Sequence, residues 1–306
     1  VRAAAVFYVV VVLFTLSVPL LGIYPVFMMK LLCFAMFACA YNLLLGFSGM
    51  LSFGHAAFFG SSAYATAWLA AMRGWQTAPA ILAGVAVSAL LGLIIGALAI
   101  RRRGIYFAMI TLALSQLIYF VCLEAPFTGG ENGLQSVPRG TFLGIPLKYD
   151  VAMYYLVLAA FLAVFLFIRR VVQSPFGQVL KGIRENEARA ISLGYEINRY
   201  RLLAFVLSAS LAGLAGSLKA LVLGFVTLSD VLQANSGEVI LMTLVGGTGT
   251  FFGPVIGAGV VVTLQEYLSD IVGGWVTVII GVVFIACVLM FRRGIVGELV
   301  RLRQHR

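Results

Sequence analysis

Apolar runs near the length of a bilayer crossing follow one another through most of this chain. That repetition constrains the fold more than any single motif. A helix crosses the hydrocarbon core with about 20 apolar residues. Runs of that kind occupy residues 3–23, 26–46, 51–72, 78–100, 105–124, 151–168 and 202–223. Three shorter runs follow at 238–245, 255–268 and 275–291, beside clusters of glycine. These are expected to be tilted, to extend through the glycines, or to be re-entrant. Backbone polar groups in lipid must find partners within their own segment, so the runs are read as helices. The chain is thus expected to be an all-α polytopic membrane protein. It should have about ten transmembrane or half-membrane helices, one domain over residues 1–306 and both ends in the cytoplasm.

Composition agrees. Hydrophobic residues make up 62% and charged residues 10%, with a mean hydropathy of +1.07. Soluble domains sit near 45–50% and about 25%. The net charge is +10, from 21 Lys+Arg against 11 Asp+Glu. In a soluble chain that excess would raise nucleic acid as a partner. Here the basic residues lie between the apolar runs and at the ends, so the partner indicated is the lipid bilayer and not nucleic acid. With the tail at 292–306 inside, Arg2, Arg101–Arg103, the basic residues of segment 169–201 and those of the tail fall on one side, 16 in all. Lys30, Arg73, Arg139, Lys148 and Lys219 make 5 on the other. The richer side is cytoplasmic. Trp75 and Trp275 then lie at the outer interface, where indoles are at home. Cys33, Cys39, Cys122 and Cys287 sit inside apolar runs and read as small core residues. The chain opens Val1-Arg2 without Met, so a trimmed N-terminus is expected, and no cleavable signal peptide is evident.

Two segments should face water. Residues 125–150, outside, carry the turn-rich Thr128-Gly129-Gly130-Glu131-Asn132-Gly133, either a connecting loop or a docking surface. Residues 169–201, inside, contain Ser174-Pro175, a helix start with Ser as cap and Pro at the first helical position. Val179, Leu180 and Ile183 mark one face, Ala190, Ile191 and Leu193 continue the apolar bias, and Gly194 is a stop. Glu185 and Arg189 are spaced to pair on the wet side. A short amphipathic hairpin of this kind either rests on the bilayer or docks a cytoplasmic partner.

Several chemistries are missing from the sequence. No Lys follows a Gly, so there is no phosphate-binding Gly-Lys-[Ser/Thr] loop. The two histidines, His55 and His305, cannot build a multi-histidine metal site. Glu124, Asp230, Glu238, Glu266 and Asp270 map to outer span ends or outer loops, which argues against ion-coupled transport. What remains is glycine. Gly46-Phe47-Ser48-Gly49 with Ser52-Phe53-Gly54 breaks one apolar stretch, and Gly246-Gly247-Thr248-Gly249 with Phe252-Gly253-Pro254 breaks another. The two similar breaks suggest an internal repeat. Paired helix breaks often bracket a transport path, although single glycines more often only permit close packing. His55 stands at a possible half-helix start, where a packing role is the simpler reading.

Several stretches together resemble the LivM-type permease subunits of branched-chain amino acid ABC importers. They are Tyr41–Gly49 running into Ser52–Gly60, Arg103–Ala113, Thr128–Leu134, Ser174–Gly177, Ile183–Glu187 and Gly246–Pro254. The resemblance implies a multi-pass protein of the cytoplasmic (inner) membrane of a bacterium or archaeon. It implies three kinds of protein partner: a second, LivH-like permease, two cytoplasmic ABC ATPase subunits, and a periplasmic or extracellular solute-binding protein. The chain would hold no cofactor, ATP being bound by the ATPases, and would not be an enzyme. The cytoplasmic segment would be the coupling loop, with Gln178, Ile183, Arg184, Glu185, Glu187 and Gly194 as its candidate residues. The family's Glu-Ala-Ala-x-x-x-Gly pattern is not kept there, since Ala188 stands six residues before Gly194 and Glu187 is one place early. Gly46, Gly49, Gly54, His55, Gly246, Gly249 and Gly253 are the candidates for the helix breaks or path. Branched-chain or other hydrophobic amino acids are the first expected substrates. Urea, short amides and other small solutes are an alternative, and an ion-coupled carrier is a further one.

Overall fold

The computed structural model describes residues 24–142 and 144–275, with positions 278, 279, 281, 282, 285 and 294 beyond them. The apolar run at 3–23, most of the run at 275–291 and the basic tail lie outside the described residues. Those described form ten α-helices: α1 Pro25–Asn42, α2 His55–Met72, α3 Thr77–Ala99, α4 Ile105–Glu124, α5 Asp150–Gln173, α6 Pro175–Glu185, α7 Glu187–Ser192, α8 Ile197–Leu223, α9 Gln233–Gly246 and α10 Gly253–Val272. Five are long and apolar enough to cross a membrane: α1 with its continuation to Ser48, α3, α4, α5 and α8. The protein is an all-α polytopic membrane protein.

The helix α1 is apolar on every side and accordingly lies in the middle. Met29, Cys33, Phe37 and Tyr41 are fully buried; α5, α8, α9 and α10 pack around it, and α2 meets it through Phe59 and His55. The interface of α2, α3 and α8 is built from small residues. Water-driven burial is weak between helices in lipid, so close backbone approach and interhelical hydrogen bonds hold such a seam together. Ser62 Oγ donates to the Gly213 carbonyl at 2.7 Å, and Ser88 Oγ donates to the Ala209 carbonyl at 2.6 Å. Thr66 Oγ1 lies 2.8 Å from Ser217 Oγ. At the outer flanks, α4 and α5 leave Leu117, Phe120, Leu166 and Phe167 exposed, as a lipid-facing surface requires.

The short runs prove longer than the sequence suggested, because α9 begins at Gln233 and α10 continues to Val272. The segment at 125–150 is tied down rather than loose. Its two-residue strands, β1 Thr141–Phe142 and β2 Ile145–Pro146, pair antiparallel. Leu134 and Val226 exchange backbone hydrogen bonds of 3.0 and 2.9 Å, and the Arg139 guanidinium reaches the Val222 carbonyl at 3.0 Å.

Asp230 and Lys219, read from sequence as lying at outer span ends or in outer loops, are paired: the chain after α8 packs back on the bundle and the two form a buried ion pair at 2.6 and 2.7 Å. The backbone of Asp230 lies against Gly60, near the first third of α2. Each group alone would be costly in an apolar bundle, and each supplies the other's countercharge. The Asp230 carboxylate also accepts the Thr227 amide at 3.2 Å.

Candidate functional site

The two glycine breaks lie about 200 residues apart in sequence and meet in space. At the first, α1 widens into a π-helical turn, Leu43–Ser48, and ends on Gly49 in the left-handed region at φ 73°. Wide turns of this kind free backbone carbonyls from the regular helical ladder. At the second, Gly249 stands at φ 76° between α9 and α10. Asn42 joins the two. Its Nδ2 donates to the Thr250 carbonyl at 2.9 Å, and its Oδ1 accepts the Gly249 amide at 2.9 Å. A Cβ at Gly46 would lie 2.5 Å from the Gly249 nitrogen, so only glycine allows this approach. Phe47 and Phe251 pack at 5.6 Å beside it.

The hairpin of α6 and α7 reaches the same point. The Ser174 Oγ accepts from the Gly177 amide at 3.4 Å, and Pro175 begins α6, as the sequence indicated. The apolar face of α6 closes on a small core of Ile183, Ala190 and Ile197, with Val179 and Tyr200 against it. On the same helix, the Arg184 guanidinium donates to the Gly46 carbonyl. Its aliphatic stem lies over Gly49, where a Cβ would come within 2.9 Å of Arg184 Cγ, and its Nη1 would lie 3.4 Å from a Cβ at Gly249. The Lys181 ammonium sits 5.8 Å from the centre of the Phe47 ring. A cation set on a free carbonyl makes a charge-assisted hydrogen bond, stronger than one between neutral groups.

The other candidate residues occupy distinct places. Gln178 lies on the first turn of α6, and its amide contacts the Val172 carbonyl at 3.4 Å. Glu185 ends α6 and does not pair with Arg189. The hairpin breaks at Asn186, whose Oδ1 caps α7 by accepting the Arg189 amide at 3.0 Å. That break parts the two side chains that an unbroken helix would bring together. Glu187 instead pairs with Arg201 in a two-pronged contact of 3.0 and 3.1 Å and with Arg103 at 3.1 Å. Gly194 ends the hairpin at φ 83° with open space around it. Gly246 packs on Gly253, and Gly253 donates its amide to Thr250 Oγ1 at 3.0 Å. Gly54 admits the Thr111 carbonyl of α4, at 2.5 Å from where its Cβ would be. Its neighbour His55 does start a helix, but away from this corner.

His55 is a packing residue. It is fully buried between Tyr41, Phe58 and Phe205, with ring centres 4.9 to 5.8 Å away. Its Nε2 lies 2.9 Å from Ser208 Oγ, whose own proton goes to the Ala40 carbonyl at 2.6 Å. Nε2 therefore carries the imidazole hydrogen, and the ring pins α2 to α8 and α1. Sequence reading missed Asn42, Thr250 and Arg201. Asn42 in an apolar run was the available signal, since a polar amide buried in a membrane helix needs partners.

No group of acidic, histidine or cysteine side chains that could hold a metal ion occurs among the described residues. The corner offers hydrogen bonds and sets one cation against two interrupted helices.

Comparison with known proteins agrees with this picture. The family described as "Branched-chain amino acid transport system / permease component" matches residues 26–288. The "High-affinity branched-chain amino acid transport system permease protein LivM" of Salmonella typhimurium is 32% identical over 256 residues. That alignment covers 75% of this chain and 60% of the relative. The Escherichia coli protein of the same name matches at the same identity and coverage. The "Ribose import permease protein RbsC" of Bacillus subtilis is 27% identical over 177 residues, which is 55% of this chain and 52% of that protein. The chain thus spans about 60% of the length of the LivM relatives it matches. A solved structure, "PsaBC from Streptococcus pneumoniae in complex with Fab", aligns over 95% of this chain and 99% of its own with a TM-score of 0.46 and 13% identity, too loose a likeness to argue from. With a match over most of its length, the chain belongs to the permease-component family of branched-chain amino acid transport systems.

Proposed function

We propose that this chain is a translocation subunit of an ATP-driven importer in the cytoplasmic membrane. It moves branched-chain or other hydrophobic amino acids by alternating access. It performs no bond chemistry and binds no nucleotide itself. A second permease completes the path, two separate ATPase subunits supply the energy, and a solute-binding protein delivers the substrate. Support for the substrate class comes from the family and from the two LivM relatives.

The observation that carries the coupling reading is the Arg184 contact. An ATPase in the cytoplasm can act on a buried path only through an element that touches both. The α6–α7 hairpin exposes Ile191, Leu193 and Tyr195 on its cytoplasmic surface, large apolar side chains suited to a protein cleft. Its opposite side sets Arg184 on the meeting point of two broken helices. A push on the hairpin is therefore delivered to Gly46, Gly49 and Gly249. The ion-coupled alternative is weakened by the buried Asp230, because Lys219 already neutralises it.

The test is leucine uptake into proteoliposomes that hold the permease, its partner subunits, ATP and the binding protein. Arg184→Ala should lower uptake about tenfold, the worth of one charge-assisted hydrogen bond. ATP hydrolysis should continue, released from substrate control. Uptake independent of ATP would overturn the importer reading, and unchanged leucine uptake in Arg184→Ala would remove the coupling role. A preference for urea or a short amide over leucine would move the substrate to the alternative class.

A further inference from the structure

A cavity of about 560 Å³ opens at the end of the bundle that carries the basic residues. Its walls come from the segment after the first glycine break, from the turn between α3 and α4, and from the start of α8. Met50, Leu51, Phe53, Ile100, Ile105 and Phe107 make it apolar. Arg102, Arg103 and Arg201 stand around it. The carboxylate that meets these guanidiniums is Glu187, shared between Arg103 and Arg201. Arg102 has no ion pair among the described residues, and the Nε of Arg201 is buried without a hydrogen-bond partner. Three cations against one anion leave an excess of positive charge at the mouth of an apolar hole. Next to it, Ile105 and Tyr106 are exposed at 71% and 67%, on the first turn of a helix that runs into the membrane.

We propose that this cavity binds an anionic glycerophospholipid from the cytoplasmic leaflet. Its phosphate would sit on Arg102 and Arg103, with an acyl chain along Met50, Phe53 and Phe107. The occupant must be both anionic and strongly apolar, and it must arrive at the membrane–water boundary. Basic pockets between helices on that side suit such headgroups, each Arg adding to their retention. A free phosphate would use the arginines and leave the apolar wall wet. A neutral lipid would fill the wall and leave the guanidiniums without a countercharge. The site does not depend on the transport reading, only on the membrane fold and its orientation. It borders Gly49, so a bound lipid would also brace the segment that Arg184 touches.

The full-length permease, with whatever subunits co-purify, is placed in phosphatidylcholine nanodiscs. These contain a trace of either phosphatidylglycerol or phosphatidylcholine bearing a photoreactive group in mid-chain, and labelled peptides are mapped by mass spectrometry. The phosphatidylglycerol probe should mark the peptides carrying Met50–Phe53 and Phe107 about fivefold more than the phosphatidylcholine probe. Arg102→Gln, a change at an exposed side chain with no ion pair to lose, should bring the two probes close together. Equal labelling by both probes would overturn the proposal, as would labelling unchanged in Arg102→Gln. So would absence of label because a partner subunit covers the cavity. Loss of the phosphatidylglycerol signal on adding inorganic phosphate would identify a simple phosphate site instead.

Discussion

Glycine serves opposite purposes in two regions of this molecule. In the seam of α2, α3 and α8, Gly84, Gly213 and Gly216 have ordinary helical backbones and simply make room. A Cβ at Gly216 would overlap the Phe59 carbonyl, and one at Gly213 would collide with Ser88. At the corner where the two breaks meet, Gly49 caps a helix and Gly249 lies between two; both are left-handed and face the flexible side chain of Arg184. The seam is locked by backbone against backbone and by serine and threonine hydroxyls. The corner is held by an asparagine, an arginine and carbonyls that the helices have released. A seam of the first kind has one arrangement, since packed interiors are not continuously deformable. A corner of the second kind is proposed to exchange its hydrogen bonds without unpacking the bundle. The comparison separates glycines that make room between packed helices from those that stand on a left-handed backbone at a helix break.

If that separation holds, the largest effects belong to the seam and act on stability. Gly216→Ala forces one methyl into a backbone carbonyl across an interface with no slack. It should cost about 3 kcal/mol, near the top of the usual range for overpacking. The thermal unfolding of the purified permease should fall sharply, and little protein should survive extraction. Lys219→Met, three residues further along α8, should cost about 3–5 kcal/mol, because it strands the Asp230 carboxylate in the interior. Adding Asp230→Asn to Lys219→Met should restore most of the loss. A Gly216→Ala protein as stable as the parent would show that the seam is looser than its contacts imply.

The corner should behave differently. Gly49→Leu and Gly249→Leu each place a side chain on a left-handed backbone, at about 1–3 kcal/mol of strain. At Gly49 the new atom meets the Arg184 stem, which can move aside. The protein should therefore insert and assemble, with thermal stability reduced less than in Gly216→Ala, while uptake falls severely. Unfolding as drastic as that of Gly216→Ala would erase the distinction between the regions. Full uptake would leave these glycines with a packing role alone.

Much of this was legible in sequence where the signal is local. Helix existence followed from run length, the start of α6 from Ser174-Pro175, and the hairpin stop from Gly194, which does adopt φ 83°. What failed was non-local. Hydropathy does not name partners, and nothing near Asp230 announces that Lys219, 11 residues back, will pair with it in the interior. The break at Asn186 was hidden by the attractive spacing of Glu185 and Arg189. An asparagine capping the next helix won over that weak surface pair. The corner itself shows the same limit. Both glycine clusters were visible as breaks, but their meeting depends on Asn42 contacting residues 207 and 208 positions away. No periodicity encodes such a contact.

The smallest expected effect concerns the hairpin stop and sharpens the comparison from its exposed end. Gly194 shares the left-handed backbone of Gly49 and Gly249, yet a Cβ there meets nothing within 4 Å. Steric contact and backbone conformation can therefore be separated at this one position. Gly194→Ala should cost about 1 kcal/mol, the penalty of a left-handed L-residue, and leave uptake nearly intact. Gly194→Val, with a branched Cβ, should cost somewhat more and shift the chain between α7 and α8. Ile191, Leu193 and Tyr195 are all within three residues and exposed, so the shift would disturb the surface offered to a cytoplasmic partner. Retention of the ATPase on the purified permease should then fall severalfold in Gly194→Val, with thermal stability of the permease only slightly below that of Gly194→Ala. Equal ATPase retention in both variants would detach the hairpin tip from partner binding. Because a Cβ at Gly194 meets nothing within 4 Å, that result would leave the contact of Arg184 with the broken helices standing.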